Sequence, residues 1–275
     1  MATIRGRPNS LPWLRLLALF CAMLVAPLAM SAQATFNAEL NDVWATPGEP
    51  GWGLQIVEQG AISFATLFVN DAGGRPTFFT AFLSPGAASA RTGDLIETNG
   101  PYFGSASYDP ALFGARRVGA LTFTPVNSST ATLEYSVNGV AVTKTVTRQL
   151  WRYENFTGRY VATAYVVTSH CSNSSDDGER TVSSVIAIDQ VGTAVTITGN
   201  FAKPAAASCT YYGDYTQAGR VGAVGSSYTC ADGDEGAMSF FEMTRRPGIF
   251  SGRLQGHSIS DSCDYSGAIT GLAPL

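Results

Sequence analysis

The chain has 275 residues, with 17 basic against 21 acidic side chains and two histidines, a formal charge of −4. Its only lysines are Lys144 and Lys203, and its largest basic clusters are the pairs Arg116-Arg117 and Arg245-Arg246. That balance argues against nucleic acid as a partner, and no stretch after the N-terminal segment keeps a helical apolar period, which points to an all-β protein.

Arg5 and Arg7 precede an apolar run from Leu16 to Ala29, and Ala32-Gln33-Ala34 follows as a small-x-small site. This pattern predicts a secretory signal peptide over residues 1–34. The run is broken by Pro27 and falls short of the ~20 apolar residues a spanning helix needs. Cys21 follows Phe20 instead of a small residue, so no lipid anchor is expected. Cleavage would remove Arg5, Arg7 and Arg15 and no acid, leaving 14 basic against 21 acidic side chains, a formal −7. The expected product is exported, periplasmic or secreted, with no integral membrane segment in the mature chain.

Trp44, Pro47, Gly48, Pro50, Gly51, Trp52 and Gly53 crowd the next stretch, where prolines fix φ and glycines permit tight turns, so a shaped loop is predicted. Leu54 to Glu58, Ile62 to Asn70 and Thr77 to Leu83 then read as a β-meander, with turn chemistry at Asn70-Asp71-Ala72-Gly73-Gly74. In its middle strand Phe64, Thr66 and Phe68 alternate with Ala65, Leu67 and Val69. Both faces are apolar, which predicts a strand covered on both sides, within a sandwich or against a second domain. Trp44 and Trp52 are candidates for an aromatic platform that holds a sugar or another small ligand, with Glu49 and Gln55 as polar partners. The competing role is a plug, the indoles folded over the open end of the sheet.

The same stretch carries Trp44-x-x-Pro47-x-x-x-Gly51-Trp52-Gly53, then Gln59-Gly60, Phe64-Ala65, Asp71 and Gly74-x-Pro76. It resembles a family of secreted proteobacterial β-rich proteins without a characterised activity, closely over residues 42–83 and more loosely to about 154. The resemblance implies export and a β fold, and no reaction. One departure is Phe78-Phe79, where the family often places a tryptophan, so aromatic character is kept and the indole lost.

Further strands are expected at Asp94 to Thr98, Val118 to Thr124, Thr130 to Val137 and Val140 to Arg148, with Asn138-Gly139 as the clearest hairpin turn. Arg148 to Tyr153 reads as a closing strand, and Phe156 to Tyr160 as the start of a new one. This predicts a cysteine-free β module over 35–154 and a second module over 155–275. The second module contains Cys171, Cys209, Cys230 and Cys263, which suits disulfide staples in an exported domain of limited core.

Eight evenly spaced strand candidates follow, near 158–168, 181–190, 194–201, 208–216, 221–230, 237–244, 249–256 and 263–270. They suggest an eight-stranded up-and-down barrel, or a sandwich. If they alternate, the four cysteines, His170, His257 and most loop acids gather at one end, and small turn residues occupy the other. The hairpin about Ala218-Gly219 would then set Cys209 opposite Cys230, and barrel closure would bring Cys171 to Cys263. An open sheet would instead favour Cys171 with Cys209 and Cys230 with Cys263. The echo between Cys209-x-Tyr211-x-Gly213 and Cys263-x-Tyr265-x-Gly267 suggests a repeated close approach at mid-strand glycines.

His170, His257, Asp261 and Asp264 are a candidate metal site, although their spacing follows no known ligand motif. Asp176-Asp177-Gly178-Glu179 and Asp232-Gly-Asp234-Glu235 read better as solubilising loops than as calcium sites, because neither keeps the EF-hand register. There is no G-x-S-x-G, H-E-x-x-H or Gly-rich phosphate loop. A Ser-His-Asp set through Ser169 or Ser258 has nothing in the sequence to orient it. No cofactor is predicted. The reading favoured is a non-catalytic binding or surface-interaction protein whose partner is an unknown extracytoplasmic ligand or protein. The rival is a metal-dependent hydrolase using His170 and His257. A third, an inhibitor of a secreted hydrolase, rests on Tyr228-Thr-Cys230-x-Asp232-Gly233, which resembles a stretch of periplasmic lysozyme inhibitors.

Overall fold

A computed structural model describes residues 39–199 and 208–273 of the chain. The segment read as a signal peptide lies outside the described residues. Among the described residues sixteen strands build two closed antiparallel barrels. The first comprises β1 (Asp42–Ala45), β2 (Gly53–Gln59), β3 (Ile62–Asn70), β4 (Pro76–Pro85), β5 (Arg91–Asn99), β6 (Gly114–Pro125), β7 (Thr130–Val137) and β8 (Val140–Arg148). The second comprises β9 (Gly158–Ser169), β10 (Gly178–Val191), β11 (Ala194–Gly199), β12 (Cys209–Ala218), β13 (Val221–Cys230), β14 (Glu235–Arg246), β15 (Ile249–Ser258) and β16 (Asp264–Leu272). Each strand pairs with its neighbours in sequence, and β1 with β8 and β9 with β16 close the circles. Closure settles the choice between barrel and sandwich.

Alternation creates both interiors. In the first barrel Leu54, Ile56, Leu67, Phe123 and Leu133 point inward and are almost wholly excluded from solvent, while the residues between them face out, as a period of two requires. In the second, Ile186, Ile188, Ile197, Phe240 and Ile269 fill the middle, and Tyr211, Tyr228 and Tyr265 fill one end. The repeated glycines mark close approaches. A Cβ on Gly213 would overlap the carbonyl oxygen of Gly225, and one on Gly267 that of Tyr165.

Three expectations for the first barrel need correction. The Trp/Pro/Gly loop contains a strand, β1, in which Asp42, Val43 and Trp44 pair with β2 and Trp44 and Ala45 pair with β8. Arg148 to Tyr153 is not a strand beyond Arg148, so the circle is closed by β1 and residues 149–157 form an irregular link. Finally, β3 is covered on one side only: Ala65 and Leu67 lie in the core, whereas Phe64 and Phe68 are exposed on the outer wall.

Arg148 is the centre of the first barrel's seam. Its guanidinium is buried, lies over the Trp44 ring at 4.5 Å and meets Asp42 at 3.2 Å. It also donates from Nε to Ser128 O at 2.6 Å and from Nη2 to Glu39 O at 2.6 Å. The second barrel's turn residues dock here. Arg220 N donates to Asp42 Oδ2 at 3.1 Å, and Gly219, at φ +54, passes so close that any Cβ would strike Asp42 and Arg148. Glu154 N donates to Gln217 Oε1 at 2.7 Å, and Phe156, in the link, is buried in the second core. The end of the second barrel that reads as bland in sequence is therefore its joint with the first, and small turn residues make that approach possible. The stapled end points away from the joint.

Candidate functional site

The predicted aromatic site does not assemble as one surface. Trp44 is completely buried, with Nε1 donating to Leu40 O at 3.1 Å and its ring edge-on to Phe123 at 4.9 Å. Trp52 is half-buried at the other end of the first barrel. It donates to Glu49 Oε2 at 3.0 Å, and Lys144 reaches the same oxygen at 2.6 Å. The Lys144 hydrogen bond, with help from Trp52, holds the Glu49 carboxyl below the usual carboxylate range. Gln55 lies on the outer wall, because its strand alternates with Leu54 and Ile56 inside. The geometry matches the plug role: each indole packs on one end of the first core.

At the stapled end of the second barrel, the disulfides join Cys209 to Cys230, which are directly opposed across β12 and β13, and Cys171 to Cys263 beside the β9–β16 seam. The seam bond anchors the connection from β9 to β10. Thr168 Oγ1 donates to Asp176 O at 2.7 Å, Cys171 N to Asp177 Oδ1 at 3.0 Å, and Ser172 N to Asp261 O at 2.8 Å. Asn173 caps the short 3-10 turn Ser174–Asp176 through its side chain. These bonds frame a cleft of about 470 Å³ lined by Thr168, Asp176, Glu179, Arg180, Asp261 and Tyr265, among others.

Arg180 sits on the inward side of β10, in step with Val182, Ile186 and Ile188, and so reaches the barrel mouth from within. Its Nε is buried without a hydrogen-bond partner. Deeper in, Asp234 is buried and accepts hydrogen bonds from Ser258 Oγ at 2.6 Å and Tyr228 Oη at 3.2 Å. Burial, then the Asp234 charge, raises the Tyr228 pKa well above that of free tyrosine. The lysozyme-inhibitor-like stretch thus falls on a tyrosine inside the barrel and a cysteine in a disulfide.

The metal candidates divide between two surfaces. His170 and His257 both meet Asp264 on the outer wall: His257 Nδ1 lies 2.8 Å from one carboxylate oxygen and His170 Nδ1 3.1 Å from the other. These bonds, His257's first, hold the Asp264 carboxyl below the usual carboxylate range. His170 reaches Asp264 from a left-handed backbone, at φ +59. Asp261 instead lines the cleft. Among the described residues no group of three or more His, Cys, Asp or Glu side chains is placed to hold a metal ion.

The hydroxyl candidates do not complete a nucleophilic set. Ser258 is wholly buried and donates inward to Asp234, while the adjacent His257 points outward, as neighbours in a strand must. Ser169 lies opposite Asp264, which lies opposite His257, so the carboxylate separates hydroxyl from imidazole. Sequence reasoning missed Arg180, Thr168 and Tyr265 as cleft residues. The inward phase of Val182, Ile186 and Ile188 was the available signal for Arg180.

Comparison with known proteins adds little. No family model matches the chain, and no curated protein matches it. Among solved structures it is similar to a protein of unknown function from the DUF3598 family of Nostoc punctiforme, at 10% identity, 88% coverage of this chain and 97% of that one, and a TM-score of 0.27. That likeness carries no argument about fold or function.

Proposed function

We propose that the protein is an exported, non-catalytic binding protein that holds a small polar ligand in the cleft at the stapled end of its second barrel. The carrying observation is that this cleft is built. A disulfide and side-chain-to-backbone bonds frame about 470 Å³ of space, within the range of small-molecule sites. Acids at Asp176 and Asp261 suit a positive group, and the unpartnered Nε of Arg180 suits an acceptor. A zwitterion, such as an amino acid or a short peptide end, answers both. Two disulfides belong in an oxidising compartment, which supports export alongside the signal-like N-terminus. Among the described residues no helix is long and apolar enough to cross a membrane.

The test is native mass spectrometry of protein purified gently from the compartment to which its host exports it, followed by thermal melts with free lysine, putrescine or acetate. A retained small molecule, or a melt raised most by lysine and blunted in Arg180→Met, supports the reading. At a ligand concentration 100 times Kd the added stability is about 2.7 kcal/mol. A bare chain that responds to none of the probes rules it out. The metal-dependent hydrolase keeps one observation in its favour, the meeting of both imidazoles at Asp264. A retained transition metal lost in His257→Ala would put it ahead.

A further inference from the structure

β3 and β4 present the same pattern to solvent. Phe64-Ala65-Thr66-Leu67-Phe68 and Phe78-Phe79-Thr80-Ala81-Phe82 both read Phe-x-Thr-x-Phe, with the interposed residues inside the barrel or turned toward it. The strands pair antiparallel with Phe64 opposite Phe82, Thr66 opposite Thr80 and Phe68 opposite Phe78. The outer wall is therefore two-fold symmetric about an axis between the two threonines. Two rows of phenylalanine stand on either side of it, about 14 Å apart at 3.4 Å per residue.

The rings are open to solvent, with relative exposures of 37% for Phe64, 44% for Phe68, 49% for Phe78 and 70% for Phe82. Phe64 and Phe82 also support each other edge-to-face at 5.2 Å. The outward positions of β2, β3 and β4, from Gly53 to Ser84, include no Asp, Glu, Lys, Arg or His. Elsewhere the first barrel's wall is charged, as at Asp94 with Arg117 and Glu97 with Arg116.

We infer that this face docks a second copy of the same chain. Three observations point to that occupant. The first is symmetry: an isologous interface sets one patch against itself. Because the patch has its own two-fold axis, an in-plane dyad along or across the strands lays phenylalanine row on phenylalanine row and threonine on threonine. The second is area. At 150–250 Å² per aromatic side chain, the four rings alone leave roughly 400 Å² exposed. Val57 and Ile62, also exposed, and the row of Gln55, Thr66 and Thr80 extend the face toward the roughly 800 Å² each partner contributes to a stable interface. The third is charge. Two copies of a chain with formal charge −4 repel, and a charge-free aromatic face is where they can meet without bringing like charges together.

The experiment is sedimentation equilibrium of the mature chain, with Thr66→Glu, Thr66→Lys and the double variant Phe64→Thr/Phe82→Thr. The wild type is expected to form dimers. Each Thr66 variant alone is expected to associate at least about 30-fold more weakly, as loss of a central hot spot does. Mixing the Glu and Lys variants should restore dimers, which a folding defect could not produce. The double variant should be monomeric with an unchanged melt at high dilution. A wild type that stays monomeric at every concentration overturns the inference, as does a dimer indifferent to Thr66→Glu. A monomer that binds an insoluble neutral glycan or a phosphatidylcholine vesicle through these phenylalanines also overturns it, and gives the face to that partner.

Discussion

The two barrels have the same strand number and the same up-and-down order, but they are closed by different means. The first meets itself across a seam of two residue pairs, Trp44 with Arg148 and Ala45 with Thr147. Its seam is filled by a buried guanidinium that lies on an indole, binds a carboxylate and ties up the carbonyls of Ser128 and Glu39. The second meets itself across nine residue pairs, with the Cys171–Cys263 bond beside them. Both devices answer one problem: the ends of a sheet curled into a circle must be held together against chain entropy. The short seam relies on a polar hub, and the long one on ladder hydrogen bonds with a covalent tie.

That contrast can be tested by removing each device. The largest effect is expected from Cys171→Ser/Cys263→Ser, because the bond closes a span of 92 residues. The chain-entropy relation puts its loss at about 4.5 kcal/mol, read by urea unfolding, against about 3 kcal/mol for the 21-residue span between Cys209 and Cys230. A loss below about 1 kcal/mol at Cys171–Cys263 would mean that the nine-pair seam closes unaided. Arg148→Met comes next, at roughly 3–5 kcal/mol, since it strands a partly buried Asp42 and unpaired carbonyls. If it instead costs no more than a surface substitution, the hub is not what closes the first barrel. Gly267→Ala, whose Cβ would overlap Tyr165 O in the second seam, should cost about 1–3 kcal/mol.

The smallest effect concerns Asp264, whose folded pKa is lowered by His257 and His170. A carboxyl lowered in the folded state adds stability that is fully present above its unfolded value of ~3.9, and that is lost as pH falls through the lower folded value. The gap in melting temperature between wild type and Asp264→Asn should therefore close as the pH is lowered through that folded value. A gap that persists below the folded value would show that the imidazole contacts act through packing.

The second barrel was the more legible of the two. Its strand spacing, its hairpin about Ala218-Gly219 and its cysteine positions are local signals, and local signals imply the register that opposes Cys209 to Cys230. In the first barrel, β1 is four residues long, abuts a Pro/Gly loop and pairs with β8, about a hundred positions later. No local period announces such a strand. Phe64 and Phe68 misled for a different reason, because apolar residues on both faces imply a cover and do not say whether it is the same molecule or another. At the stapled end, the gathering of His170, His257 and the acids was legible from topology alone. Which of them face the lumen depends on strand phase at the loop edges, and there Asp264 and Asp261 part company.

Asp42 joins two circles that could each have been self-sufficient. One oxygen serves the Arg148 hub of the first barrel and also accepts from the backbone of Arg220 in the second. Unfolding either barrel thus removes a partner from the other's structure at the same atom, and the pair should melt as a single cooperative transition. A domain cut at the link would inherit that debt: the first barrel expressed alone would keep its strands and lose part of what holds its seam shut.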